Sequence, residues 1–161
     1  MDVLNVLGEP TTRLQVVSTL DPKRLVIKCK GQLPTWGSEG AACFDLCSAR
    51  SITLEPETTI LINTGLRLES PKGFGLLLLS RSKLARDSYT VEGGVIDSDF
   101  RGEVKVLIQN STHRVKQIQQ GERVAQGWVL KTPEIEFVEV NQDELSETQR
   151  AEKGFGSSGE I

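Results

Sequence analysis

Five stretches of the chain bring together side chains that could do chemistry. The richest is Gly93-Gly94-Val95-Ile96-Asp97-Ser98-Asp99-Phe100-Arg101-Gly102-Glu103. Glycines flank an apolar pair, followed by two carboxylates and an aromatic ring, the pattern of a strand, a turn and a second strand. A carboxylate on the floor of such a hairpin pocket can act as a general base for water, and Asp97 is the candidate. Acid-rich turn chemistry accounts for the same residues without any catalysis. The second stretch, Leu79-Ser80-Arg81-Ser82-Lys83-Leu84-Ala85-Arg86, runs from a strand into a helical turn. Backbone N–H groups at a helix start, with a serine hydroxyl and an arginine fork, form an anion site. Structurally, Ser82 could be only a cap and Arg81 only a surface charge. The third, Ser38-Glu39-Gly40-Ala41-Ala42-Cys43-Phe44-Asp45-Leu46, leads small residues to a single acid. The fourth, Gly121-Glu122-Arg123-Val124-Ala125-Gln126, feeds a turn into a strand. The fifth, Arg150 to Gly159, sets Phe155 in a glycine- and serine-rich segment that could close on a phosphate chain and place a ring over a base.

The elements that must position these residues are short. Leu25 to Ile27, Ile52 to Leu54, Thr59 to Ile62, Leu66 to Leu68, Leu76 to Leu79, Val104 to Ile108, Val124 to Leu130 and Ile135 to Val140 read as strands. Their spacing, with turn residues between, predicts an all-β sandwich, jelly roll or barrel. Within the core region only Ser82 to Ser88 reads as a helical turn, and Asp143 to Glu152 is weakly helical and highly polar. The expected organisation is an N-terminal extension over 1–22, with one strand at Leu14 to Val17, a β domain over 23–140, and a C-terminal arm over 141–161.

The 161 residues, 37% hydrophobic and 25% charged, suit one domain with an apolar core. A net charge of −3 gives no field to hold a nucleic-acid backbone, so nucleic acid is excluded as a partner. An anionic ligand must instead meet a local cluster of cations and usually a metal. Cys29, Cys43 and Cys47 are odd in number and lack metal-like pairing, which predicts reduced, structural thiols. No apolar run approaches the ~20 residues of a membrane span, and no signal-peptide core opens the chain. The expectation is a soluble, intracellular protein without a membrane partner. His113 reads as a surface-loop residue, Trp36 and Trp128 read as packing residues, and the sequon at Asn110-Ser111-Thr112 reads as chance.

In this order and at this spacing, the five stretches resemble the five motifs of the trimeric dUTPase family, over about Leu25 to Gly159. The resemblance implies a jelly-roll subunit, assembled as a homotrimer with composite active sites and a mobile C-terminal arm. It implies Mg²⁺-assisted hydrolysis of dUTP to dUMP and pyrophosphate, which limits uracil incorporation into DNA and supplies dUMP for thymidylate synthesis. Asp97 matches the acid that activates water, and Asp45 the acid that meets the metal through water, the Mg²⁺ being held mainly by substrate phosphates. Arg81, Ser82 and Lys83 match the phosphate-binding motif, while Gly94, Val95 and Ile96 match the hairpin that reads uracil. Phe100 stands where a tyrosine usually packs beneath the deoxyribose. Gln126 matches the fourth motif. Arg150 matches the arginine that reaches the γ-phosphate, Phe155 the ring that caps uracil, and Gly156, Ser157 and Ser158 the closing lid. Departures from the pattern are Cys43, Lys83, Ala151, Gly127-Trp128 and a hairpin segment about one residue shorter than usual.

Two rival readings differ in testable residues. A dCTP deaminase on the same fold needs a glutamate ten residues after the motif-three aspartate, and Leu107 at that position cannot shuttle protons. A purely regulatory binding protein has no need to keep Asp97, Arg81, Arg150 and Phe155 together. Residues 1–22 lie outside the resemblance and could carry a protein-partner site.

Overall fold

Alternation of apolar and polar residues along two strands sets the frame of the fold. A computed structural model describes residues 25–149 and Ala151. Strand β5 (Thr59–Glu69) turns Ile62, Thr64, Leu66 and Leu68 inward, and β9 (Glu103–Asn110) turns Val104, Val106, Ile108 and Asn110 inward. The two pair antiparallel, with Ile62 opposite Val106 and Ile60 opposite Ile108. With β1 (Lys28–Lys30) and β7 (Tyr89–Glu92) they make a four-stranded sheet ordered β1-β5-β9-β7.

The second sheet joins β2 (Thr35–Trp36), β3 (Phe44–Cys47), β6 (Phe74–Leu79), β8 (Val95–Ile96) and β11 (Arg123–Lys131) in the order β2-β3-β11-β6-β8. A two-stranded sheet pairs β4 (Ile52–Leu54) with β10 (Lys116–Ile118). Leu54 and Ile118 from this pair, Phe44, Leu76, Leu78 and Val124 from the second sheet, and Ile62, Val106 and Ile108 from the first bury into one apolar cluster. Each such side chain contributes about 1.5–3 kcal/mol by leaving water. Sheets sharing one core in this way have the jelly-roll-like, all-β architecture that the short strands predict. The described sheets remain open, so the barrel alternative does not hold.

The structure refines several boundaries. The runs Thr59 to Ile62 and Leu66 to Leu68 belong to one strand, bent where the register shifts between Asn63 and Arg67. Glu103 holds that bulge, accepting from Asn63 Nδ2 at 3.0 Å and from the Gly65 N–H at 2.8 Å. The first strand starts at Lys28, just after the apolar run Leu25 to Ile27. The helical turn, α1, spans Ser82–Arg86. Strands β2, β3, β7 and β10 escape the apolar pattern because they are two to four residues long.

The expected strand at Ile135 to Val140 is absent, because no described strand lies beside it to pair with its backbone. Phe137 there is 93% exposed. Among the described residues of the polar stretch Asp143 to Glu152, helical structure is confined to a short 3₁₀ turn at Gln142–Glu144. Leu14 to Val17, Arg150 and Phe155 to Ser158 lie outside the described residues.

His113 is an exposed loop residue 3.6 Å from Glu57, as its sequence context predicts. Trp36 meets Phe44 edge-on at 5.8 Å between ring centroids, so it packs, although much of it stays exposed. Trp128 also keeps much of its ring exposed.

The Asn110 side chain is fully buried and acts as a hub. Its Nδ2 donates to the carbonyls of Leu54, Glu55 and Arg114 at 3.3, 2.9 and 2.8 Å, and its Oδ1 accepts from the Thr112 N–H and hydroxyl at 3.0 and 2.7 Å. These bonds tie the β9–β10 loop to the end of β4, and they place the sequon's amide where no glycan could attach without unfolding the loop. Asn110→Ala strands three carbonyls and should cost about 2–3 kcal/mol, read as a lowered midpoint in urea unfolding. An unchanged midpoint would remove the hub from the account of stability.

Candidate active site

Two groups of the predicted residues sit at opposite ends of β6. At its C-terminal end, the pairing of β11 with both β3 and β6 aligns Gln126 with Asp45 on one side and with Leu79 on the other. Asp45 is 8% exposed, and a buried carboxylate must be paired. Arg81 Nε donates to Asp45 Oδ1 at 2.8 Å, and Arg123 Nη1 donates to Asp45 Oδ2 at 3.0 Å. Arg123 was not a candidate in the sequence: an arginine in a turn reads as a solvated charge. Its place in the fourth motif, three residues before Gln126, was the signal that could have found it.

The loop that carries Arg81 is pinned twice. Gln126 Nε2 donates to the Ser80 carbonyl at 2.9 Å, and the Val91 N–H donates to the Ser80 hydroxyl at 2.7 Å. Arg81 itself precedes α1 in extended conformation, and no side chain caps the helix. Ser82 and Lys83 are exposed beside it. The result is a fixed arginine on a shielded carboxylate, with serine, lysine and a second arginine around it. Such a cluster suits an oligophosphate.

At the other end of β6 stands the hairpin. Strand β8 pairs with β6 through Leu76 and Ile96, and Leu77 and Val95, and the Leu78 N–H donates to the Gly94 carbonyl at 2.7 Å. Gly94 lies so close to Leu78 that a Cβ there would collide with its backbone. Past β8 the chain turns, with the Phe100 N–H donating to the Asp97 carbonyl at 3.2 Å. Arg101 Nη1 fixes the tip, donating to the Ser98 and Phe100 carbonyls at 2.7 and 3.0 Å. Phe100 lies over Gly102, where a Cβ would come within 2.5 Å of the ring. Asp97 is exposed and faces an open cavity of about 780 Å³, with Ser70, Lys72, Phe74, Asp99 and Arg101 among its lining.

The register keeps these groups apart. Asp97 follows Ile96, which pairs with Leu76, whereas Arg81 lies beyond Leu79. Six residues of extended chain from Gly75 to Arg81 span about 20 Å. Within one chain, therefore, Asp97 and the Asp45–Arg81–Arg123 cluster are not assembled on one ligand. Among the described residues no group of three or more His, Cys, Asp and Glu side chains is placed to hold a metal ion.

The open all-β subunit, with an arginine–carboxylate cluster and a carboxylate hairpin at the two ends of one strand, places the chain among jelly-roll-like proteins. The dUTPase family model matches residues 30–159. Deoxyuridine 5'-triphosphate nucleotidohydrolase of Wolinella succinogenes is 42% identical over 130 residues, 79% of this chain and 86% of that protein. A Staphylococcus bacteriophage 80alpha dUTPase solved with dUpNHpp superposes with a TM-score of 0.73 at 27% identity, over 83% of this chain and 98% of that one. A phage phi11 dUTPase from S. aureus, described with a structural Mg(II) ion, has a TM-score of 0.68 at 21% identity, over 74% and 99% of the two chains. The chain belongs to the dUTPase family. Its enzyme class is dUTP diphosphatase, a hydrolase.

The three thiols are free and half-buried. Burial raises the pKa of Cys29, and burial first, then the neighbouring Asp45 charge, raises that of Cys47. A raised pKa leaves less thiolate at a given pH, so neither group is built as a nucleophile. At about pH 8, iodoacetamide should label Cys29 and Cys47 several-fold more slowly than a free thiol, as mapped by peptide mass; labelling at the free-thiol rate would contradict this account.

Proposed function

We propose that the chain converts dUTP to dUMP and pyrophosphate, at sites shared between subunits of a homotrimer. The observation that carries this reading is the separation of the two clusters along β6 in a chain of the dUTPase family. If Asp97 and Arg81 serve one triphosphate, they must come from different copies. Closed cyclic symmetry lets each interface join one copy's hairpin to another copy's arginine cluster. The exposed apolar residues Ile135, Phe137, Val138 and Val140 lie in a segment outside the described sheets, as a segment that docks on a neighbouring copy would.

In this reading Gly94, Val95 and Ile96 present backbone groups to the edge of uracil. Cytosine reverses donor and acceptor there and would leave them unpaired. Phe100, with the far edge of its ring against Gly102, packs beneath the deoxyribose and excludes a 2′-hydroxyl by shape. Arg81, Ser82 and Lys83 hold phosphate oxygens, with Gln126 bracing the loop that carries them. Arg150 reaches the γ-phosphate, Phe155 stacks on the base, and Gly156, Ser157 and Ser158 close over the phosphates. Base stacking of this kind contributes about 1–3 kcal/mol.

The chemistry is positioning and charge neutralisation. Asp97 orients a water in line with the bridge to the β-phosphate and takes its proton. The water oxygen bonds to the α-phosphorus as the bond to the bridging oxygen breaks, and pyrophosphate leaves with that electron pair. The hydrolysis lowers the dUTP available to DNA synthesis and supplies dUMP for thymidylate synthesis.

The residues present fit Mg²⁺ carried on the phosphates. Asp45 spends one acceptor position on each arginine, and about two of its roughly four remain to accept from a metal-bound water. Two guanidinium groups within 3.0 Å oppose direct contact between the carboxylate and a cation. When bound, Mg²⁺ would supply positive charge against that developing on the leaving pyrophosphate.

The decisive assay is pyrophosphate release across dUTP, dCTP, dTTP and UTP. With Mg²⁺, only dUTP should turn over rapidly, chelation should abolish the rate, and Asp97→Asn should abolish turnover while sparing binding. Equal turnover of UTP would sink the Phe100 argument, and an active Asp97→Asn would remove it as the base.

The shared site has its own test. Asp97→Asn and Arg81→Ala, each inactive alone, should regain activity when coexpressed and copurified, because mixed trimers contain sites with one intact copy of each residue. Failure of the mixture to recover would refute the composite site.

A further inference from the structure

An arginine and a carboxylate left to themselves pair as two forks, with two parallel N–H···O bonds. Arg81 and Asp45 do not. Arg81 reaches Asp45 Oδ1 through Nε alone, because Arg123 Nη1 occupies Oδ2. Among the described residues none accepts a hydrogen bond from either Nη group of Arg81, so its four terminal N–H donors are left for a ligand, on a partly exposed side chain carried by a pinned loop. Asp45 is buried and held in register on β3, between β2 and β11, so it cannot swing away to solvent. If Arg123 were removed, the freed Oδ2 would be an unpaired buried anion on a carboxylate that Arg81 already holds, with the remainder of the Arg81 fork available to it.

We propose that Arg123 is a positioning residue that keeps Asp45 on a single nitrogen of Arg81, and thereby leaves the Arg81 fork open to the triphosphate. The three side chains form a relay from β11 through β3 to the loop after β6. Arg123 acts on the ligand through Asp45 and Arg81 and needs no contact of its own. The relay also sets the charge. Asp45 alone would cancel Arg81, whereas two guanidinium groups on one carboxylate leave the cluster with a net positive charge toward an anion. The local register makes this possible: β11 shifts against β3 between Arg123 and Ala125, which brings Arg123 opposite Cys47 while Gln126 stays opposite Asp45.

The inference rests on the dUTPase reading only for the identity of the anion. The test is calorimetric titration of the full chain with dUpNHpp and with inorganic triphosphate, both without metal, so that Asp45 has no metal shell to serve. Wild type is compared with Arg123→Met, Arg123→Lys, Asp45→Asn and the Asp45→Asn/Arg123→Met double variant, with melting midpoints measured in parallel. Arg123→Met should weaken binding about tenfold, and Arg123→Lys, which can still hold Oδ2, should stay within about threefold of wild type. The double variant should bind more tightly than Arg123→Met, because an asparagine cannot capture the fork as an anion does. If Arg123→Met fails to fold, Arg123→Gln takes its place in the same comparison.

Losses that simply multiply in the double variant would overturn the relay and make Arg123 an independent contact. Binding unaffected by Arg123→Met would also overturn it. Pyrophosphate release from dUTP by the wild type, measured alongside, tests the functional reading separately. A wild type that releases pyrophosphate while the relay comparisons fail refutes the relay alone, and one that binds neither ligand refutes both.

Discussion

The pairing of β6 with β11 is the constraint on which the rest of the site depends. It runs in unbroken register from Leu79 opposite Gln126 to Phe74 opposite Lys131. Because β11 also pairs with β3, this ladder fixes where Asp45 lies relative to Arg81. Because β6 also pairs with β8, it fixes where the Asp97 hairpin lies. A slip of one residue would turn Leu76 and Leu78 out of the core and reverse which side chains of Gln126 and its neighbours face the arginine loop. Burial of Leu76, Leu78, Val124 and Ala125 therefore does more than stabilise the sheet. It selects the register in which the polar residues meet.

That dependence explains what was legible in the sequence. Strand β9 and the two halves of β5 can be read from their alternating apolar positions, since the pattern and the burial are the same fact, whereas β11 shows as a denser apolar run. The hairpin around Asp97 and the turn around Arg81 can be read too, because glycine and serine mark the bends. What escapes is whatever depends on a second element. Strands β2, β3, β7 and β10 are short and take their strand character from neighbours, as tertiary context overrides local preference. Ile135 to Val140 has the composition of a strand but no described strand to pair with, so composition alone misplaced it. Asp45 reads as an acid among small residues, and Arg123 as a charge in a turn. Their joint role exists only once β3 and β11 lie side by side.

The two clusters also differ in how they are held. The arginine cluster is preorganised by burial: Asp45 is shielded, and the loop after β6 is pinned by Gln126 and by the Val91 amide. The hairpin is held by its own turn and by Arg101, with Asp97 and Phe100 exposed. Rigid cations suit a flexible, highly charged triphosphate chain, since the ordering cost then falls on the ligand alone. In the proposed composite site, the exposed Asp97 and Phe100 belong to a surface that another copy and the nucleotide would cover.

This division has a consequence for Asp45, which the family resemblance cast as a partner of the metal's water. Each Asp45 oxygen makes one guanidinium bond and keeps acceptor capacity beyond it. The same carboxylate can then hold a cationic side chain on its protein side and meet a hydrated cation on its ligand side. Two guanidinium groups on one carboxylate leave the cluster a net positive charge toward an anion, where one of each would cancel.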